Sequence, residues 1–196
     1  MSESLKLLIT VFFGSGASFA ILNIVWQWIK DKRERRHFAL QIAFQLEAYA
    51  IECEKAHSDN EDANNSDGSA GQSISELPRL GPLPSHDAFR LLDPKIVSRL
   101  YAFPQECLMA QRAADQIFEF VGQDEAIESV ADSTLGMGME ALDIARTIRG
   151  KYGLGTRNLK FGEWSVEEYF EDKLQRMKER KAEEETKRRA VVEKPW

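Results

Sequence analysis

Leu7 to Ile29 is a run of 23 residues without a charge, and it limits what this chain can fold into more tightly than any other segment. A helix rises about 1.5 Å per residue and lipid hydrocarbon is about 30 Å thick, so about 20 apolar residues span it. A cleaved export signal would carry its positive charge before a shorter apolar core. Here Lys6 alone precedes the run, whereas Lys30, Lys32, Arg33, Arg35 and Arg36 follow it. Burial inside a protein core would require a body large enough to cover the helix on every side, and the remaining chain is too polar for that. The run therefore predicts a transmembrane helix over 7–29. Basic flanks stay on the cytoplasmic side, which predicts a short external tail (1–6) and a cytoplasmic C-terminal body. Trp26 and Trp28 fall at the basic end, where indoles favour the membrane interface. Together with the five basic residues they form the expected membrane-interface set; "KDKRERRH" reads first as a topology signal and second as a patch for anionic lipid.

Within the run, Thr10, Gly14 and Ser18 recur at intervals of four and share one helix face. Small residues so placed let a second helix approach closely, and tight packing substitutes for the hydrophobic effect that lipid removes. Asn23 lies off that line and is costly in lipid unless it meets a partner. These four residues are the candidate helix-association site, for a second copy of the chain.

Charge narrows the partners of the rest. Residues 37–196 hold 20 Lys+Arg against 29 Asp+Glu, a formal charge of −9. Nucleic-acid binding depends on neutralising phosphates, so this composition argues against DNA and RNA. Cys53 and Cys107 lie in helical patterns and read as small core residues in a reducing compartment.

No Gly or Pro occurs between Ala17 and Asp67, so the span is expected to continue into a juxtamembrane helix (30–56). Ala39, Ile42, Leu46, Tyr49 and Cys53 make its apolar stripe. Residues 57–84 are polar and then proline-rich, and read as a disordered or extended linker. Its "DANNSDG" resembles a calcium loop, but the glycine is one place late and Ser73 stands where the closing Glu belongs. A helical bundle domain is expected over 85–177, packed with 37–56. Asp93-Pro94 suits the start of one helix, and Pro104 is read as opening another, with Cys107, Ala110, Ala114, Ile117 and Val121 facing inward. The clearest pattern is Ile127, Val130, Thr134, Met137, Ala141, Ile144 and Ile148, a coiled-coil-like seam over 124–150. Gly136 and Gly138 interrupt it at a cost of about 1 kcal/mol each relative to Ala, which points to close approach by another helix. Ser165 and Glu168 make a capping box for a last helix, and Trp164 against Tyr169 a hydrophobic staple. Beyond Met177 its apolar face ends, leaving a charged, solvated helix and tail (178–196). The fold expected is all-α: one N-terminal transmembrane helix continuous with a cytoplasmic helix, plus a small antiparallel helical bundle.

No motif carries a reaction. His37, His57 and His86 are not spaced as metal ligands, and nucleophile elbows, Cys-x-x-Cys pairs and His-Glu-x-x-His helices are absent from the sequence. "GKYGLGT" lacks the residue order of a phosphate loop. No catalytic residue, metal or cofactor is therefore expected. The stretch "ALDIARTIRGKYGL" (141–154), after a proline-rich loop and an N-terminal span, resembles uncharacterised single-pass membrane-anchored helical proteins of bacteria. The resemblance carries no activity over to this chain and gives no residue a role; the expected location, from the span and its basic flank, is the bacterial inner membrane. The function expected is a membrane-anchored interaction or scaffold protein whose partners are membrane lipids, an unidentified protein and a second copy through the span. The alternatives are an accessory subunit of a transport or secretion complex, or a small membrane-tethered enzyme or ligand sensor with a pocket near Gly136 and Gly138.

Overall fold

The computed structural model describes residues 17–84 and 89–192. Among them the chain forms four helices: α1 (Ala17–Asn65), α2 (Pro94–Phe120), α3 (Gln123–Tyr152) and α4 (Val166–Val192). A two-stranded ladder, β1 (Lys160–Phe161) and β2 (Trp164–Ser165), precedes α4. The bundle is all-helical apart from this ladder, which the sequence reading did not anticipate; Gly162, at φ 69°, turns its hairpin.

The long first helix follows from the absence of breakers, and its 49 residues measure about 73 Å at the standard rise. It runs through Lys30–Arg36 without interruption, as expected. No described helix is long and apolar enough to cross a membrane. The described charge-free part of α1 is Ala17–Ile29, and the remainder of the expected span, with Thr10 and Gly14, lies outside the described residues. The same is true of Ser85 and His86.

Helix α1 also extends further than its apolar stripe. Residues 57–65, read as linker, are helical because their inward positions are filled by His57 and Asn60, both buried and both hydrogen-bonded. The following segment is not a free linker either. Gln72 N–H donates to Asp59 O, Ile74 N–H to Asn60 Oδ1, and Leu77 N–H to Gln111 Oε1. Ile74 and Leu77 are buried against Ala114, Val130 and Ala131. Side-chain amides thus anchor the backbone of a segment poor in apolar residues.

Asp93 caps α2, accepting from Lys95 N–H at 3.0 Å, with Pro94 in the first turn. Pro104 does not open a helix but lies inside this one. Leu100 and Phe103, in the turn before it, are buried, so packing on the body outweighs the missing backbone donor. Helix α3 is central and packs against all three others. Val130, Thr134, Ala141, Ile144 and Ile148 of its seam are buried, with Leu135, Gly138, Leu142 and Ala145 beside them. Thr134 satisfies its hydroxyl on Val130 O at 2.7 Å. Gly153, at φ 60°, ends the helix in the left-handed conformation that glycine adopts without strain.

At the start of α4 the expected cap is present: Glu168 N–H points to Ser165 Oγ, and the Trp164 and Tyr169 rings lie 6.0 Å apart. Val166 and Phe170 are fully buried. The last ties to the body are Arg180 and Lys181 on Asp132, with Arg180 also on Glu128. From Ala182 to Arg189 every residue is exposed.

Candidate functional site

One hydrogen bond and one ion pair fix the direction of the bundle. Arg36 donates to Gly153 O at 3.0 Å, and Arg149 pairs with Glu47, so α1 and α3 run antiparallel. The apolar start of α1 therefore leaves the body from the end where α3 stops and the 153–165 loop begins.

Phe19 and every residue from Ile21 to Trp28 are exposed, so this part of α1 is bare on all faces. Asn23 is among them; Ser18 is in the described backbone of the helix. The expected interface set follows in order along the same helix. Trp26 and Trp28 are more than 60% exposed, and Lys32 Nζ sits 5.3 Å from the Trp28 ring centroid. Lys30 faces Glu34 at 3.9 Å, Arg33 and Arg35 point to solvent, and Arg36 ties this collar to α3. The first buried residue among those described is Ala39.

Just inside that end lies a charged cluster that sequence reasoning missed. Glu47 is 3% exposed and Arg149 7%. Arg149 Nε and one terminal nitrogen grip both carboxylate oxygens, the second at 3.0 Å. Arg157, from the loop after α3, adds a third bond to Glu47 Oε2 at 2.8 Å. Both guanidinium groups lie over the Phe44 ring, at 5.1 Å for Arg149 and 4.7 Å for Arg157. Such forks are planar and stack on aromatic faces, so the three partners fix one another's orientation. The only sequence signal was a charge beside the stripe: Glu47 follows Leu46, and Arg149 follows Ile148.

This cluster forms the inner wall of a cavity of about 790 Å³ between α3, the 153–160 loop and the first turns of α4. Leu142, Ala145 and Leu159 give it apolar wall. Its rim carries Arg146 paired with Glu167, Lys160 paired with Glu168 at 3.1 Å, and Glu171. No His or Cys lines it.

A second buried polar cluster joins α1 to α4. His57 Nδ1 and the Tyr169 hydroxyl are 2.8 Å apart; that hydroxyl donates to Glu61 at 3.3 Å, and Lys173 bonds the same carboxylate at 2.5 Å. Burial holds the His57 imidazole below its usual pKa, outweighing the opposite pull of Glu61. Burial also pushes the Cys53 thiol up to about 12, which makes it a poor nucleophile. The Cys107 thiol is raised as well, chiefly by burial.

The position of His57 has a consequence for acid stability. Above its ordinary pKa near 6.5 the imidazole is neutral whether the chain is folded or unfolded. Below that value the unfolded chain takes up a proton that the folded chain resists, so stability falls as pH drops. The half-buried Glu54 carboxyl, pushed up to about 7 by its partial burial and by Asp59, works in the opposite direction. The difference between wild type and His57→Asn isolates the histidine. From pH 7 to pH 5 the wild-type melting temperature should drop further than the variant's, and parallel curves would contradict the assignment.

Gly138, near which one alternative places a pocket, instead faces packed side chains. A Cβ on Gly138 would lie 2.8 Å from Phe170 Cε1 and 3.0 Å from Cys53 Cβ, so the seam is closed by side chains of α4 and α1. Around Gly136 the space is open. Among the described residues, no group of three or more His, Cys, Asp and Glu side chains is placed to hold a metal.

Fold and site together define a four-helix protein with a bare apolar helical extension, a basic collar and a charged cavity at the same end. Compared with family models, characterised proteins and solved structures, the chain matches none.

Proposed function

We propose that this protein is a membrane-anchored helical interaction module, held in the inner membrane by the charge-free run Leu7–Ile29, with its bundle on the cytoplasmic side. The observation that carries the reading is the bare stretch of α1 at Phe19 and from Ile21 to Trp28. A helix apolar on all faces is buried in protein or in lipid. Among the described residues the body does not cover it, since burial there starts at Ala39. A ring of exposed indoles followed by Lys30–Arg36 suits the passage from hydrocarbon through headgroups to water. Lipids are then the first partner. Thr10, Gly14 and Ser18, with Asn23 as an alternative contact, would serve a second copy within the bilayer. The projecting charged end of α4 would serve a protein partner.

The test is extraction. Membranes from cells expressing the full chain are washed with alkaline carbonate and the chain is assayed in pellet and supernatant. The full chain should stay in the pellet, and a chain starting at Lys30 should be released. A full chain recovered in the supernatant would overturn the anchor.

A further inference from the structure

We propose that the cavity beside Glu47 binds a small organic acid with a single negative charge, held through Arg157. The inner wall sets one carboxylate, Glu47, against two guanidinium groups, Arg149 and Arg157. It therefore carries one surplus positive charge, on the half-exposed Arg157. Arg149 spends its donors on Glu47 and on Gly155 O. Arg157 does not: its one described hydrogen bond is from a single terminal nitrogen to Glu47, and its side chain is 40% exposed. Phe44 and Glu47 hold the rest of its planar fork toward the cavity, in the geometry that meets a carboxylate with two parallel N–H donors. The volume of about 790 Å³ lies within the usual range for small-molecule sites, about 300–1,000 Å³.

The rim decides which anion. Glu167 and Glu168 are matched by Arg146 and Lys160. Glu171 forms no hydrogen bond or ion pair with any described residue, which leaves the rim one negative charge in surplus. One surplus cation inside and one surplus anion at the mouth favour a monoanion and oppose a dianion such as a phosphate monoester. The apolar wall of Leu142, Ala145 and Leu159 suits an acid with a hydrocarbon body. The site goes beyond the anchor reading and stands whether or not α1 enters lipid.

The test is isothermal titration calorimetry at pH 8 on the full chain in a mild non-ionic detergent, with the detergent alone as blank. Benzoate, benzamide and phenyl phosphate are the probes. Benzoate should bind saturably, and benzamide, equal in size but neutral, about tenfold more weakly or less well still. Phenyl phosphate should bind more weakly than benzoate. Arg157→Gln should weaken benzoate about tenfold with no loss for benzamide. Glu171→Gln alters an exposed side chain and should strengthen phenyl phosphate severalfold, which keeps the proposal testable if Arg157→Gln does not fold. Absence of benzoate binding, benzamide equal to benzoate, phenyl phosphate ahead of benzoate, or indifference to either substitution would overturn it.

Discussion

Glu47→Gln should be the most damaging single substitution in the bundle. It removes the one carboxylate that compensates Arg149, whose guanidinium cannot reach water from a site 7% exposed. Breaking a buried pair by deleting one partner costs roughly 3–5 kcal/mol, because the remaining charge stays buried without a counter-ion. A domain of this size loses about 2–4 °C in melting temperature per kcal/mol, so the helical signal should melt well below wild type. The damage should come from the orphaned charge and not from the lost bonds. Replacing both partners, Glu47→Met with Arg149→Met, should therefore recover most or all of the stability, since buried ion pairs barely offset their own desolvation. Arg157 can then turn outward from its half-exposed position. A double variant as unstable as Glu47→Gln would show that the cluster stabilises by its geometry as well.

The second large effect lies in α3, where two glycines separated by one residue should respond in opposite directions. Gly138 faces Phe170, itself fully buried and unable to retreat, and Cys53 on the other side. Gly138→Leu forces a branched side chain into that contact and should cost at least the roughly 1–3 kcal/mol typical of overpacking. Gly136 has open space where its Cβ would stand. Gly136→Ala meets nothing and restores helix propensity, a gain of up to about 1 kcal/mol. Thermal melts of the two variants should bracket the wild type. A gain at Gly138, or a loss at Gly136, would mean that the packing of α4 on α3 is misassigned.

The sequence was most informative where spacing alone decides. The seam of α3 follows a 3,4 repeat, and five of its seven residues, Val130, Thr134, Ala141, Ile144 and Ile148, are buried, with Ile127 and Met137 partly so. The cap at Ser165 and the staple of Trp164 on Tyr169 are local, spanning a few residues, and were legible for that reason. The end of α1 was hidden because His57 and Asn60 occupy inward positions, and polar residues there look like surface until their partners are known. Pro104 misled for the opposite reason: a local rule was overridden by the burial of Leu100 and Phe103. The cavity could not be read at all. Glu47 and Arg149 are 102 residues apart, and Arg157 sits in a loop with no periodicity to mark it. Opposite charges in a chain with 30% charged residues have many formal matches, and only the fold selects one.

Helix α1 has no glycine, proline or break between Ala17 and Asn65. It therefore transmits rotation. Each residue turns the helix by about 100° and advances it about 1.5 Å, so the azimuth of Glu47 is locked to that of Trp28 by the number of residues between them. The compass direction in which the cavity opens, relative to any given face of the apolar segment, is thus a phase written into chain length. One residue inserted near Lys32 would swing the whole body by about a quarter turn while leaving each of its internal contacts intact.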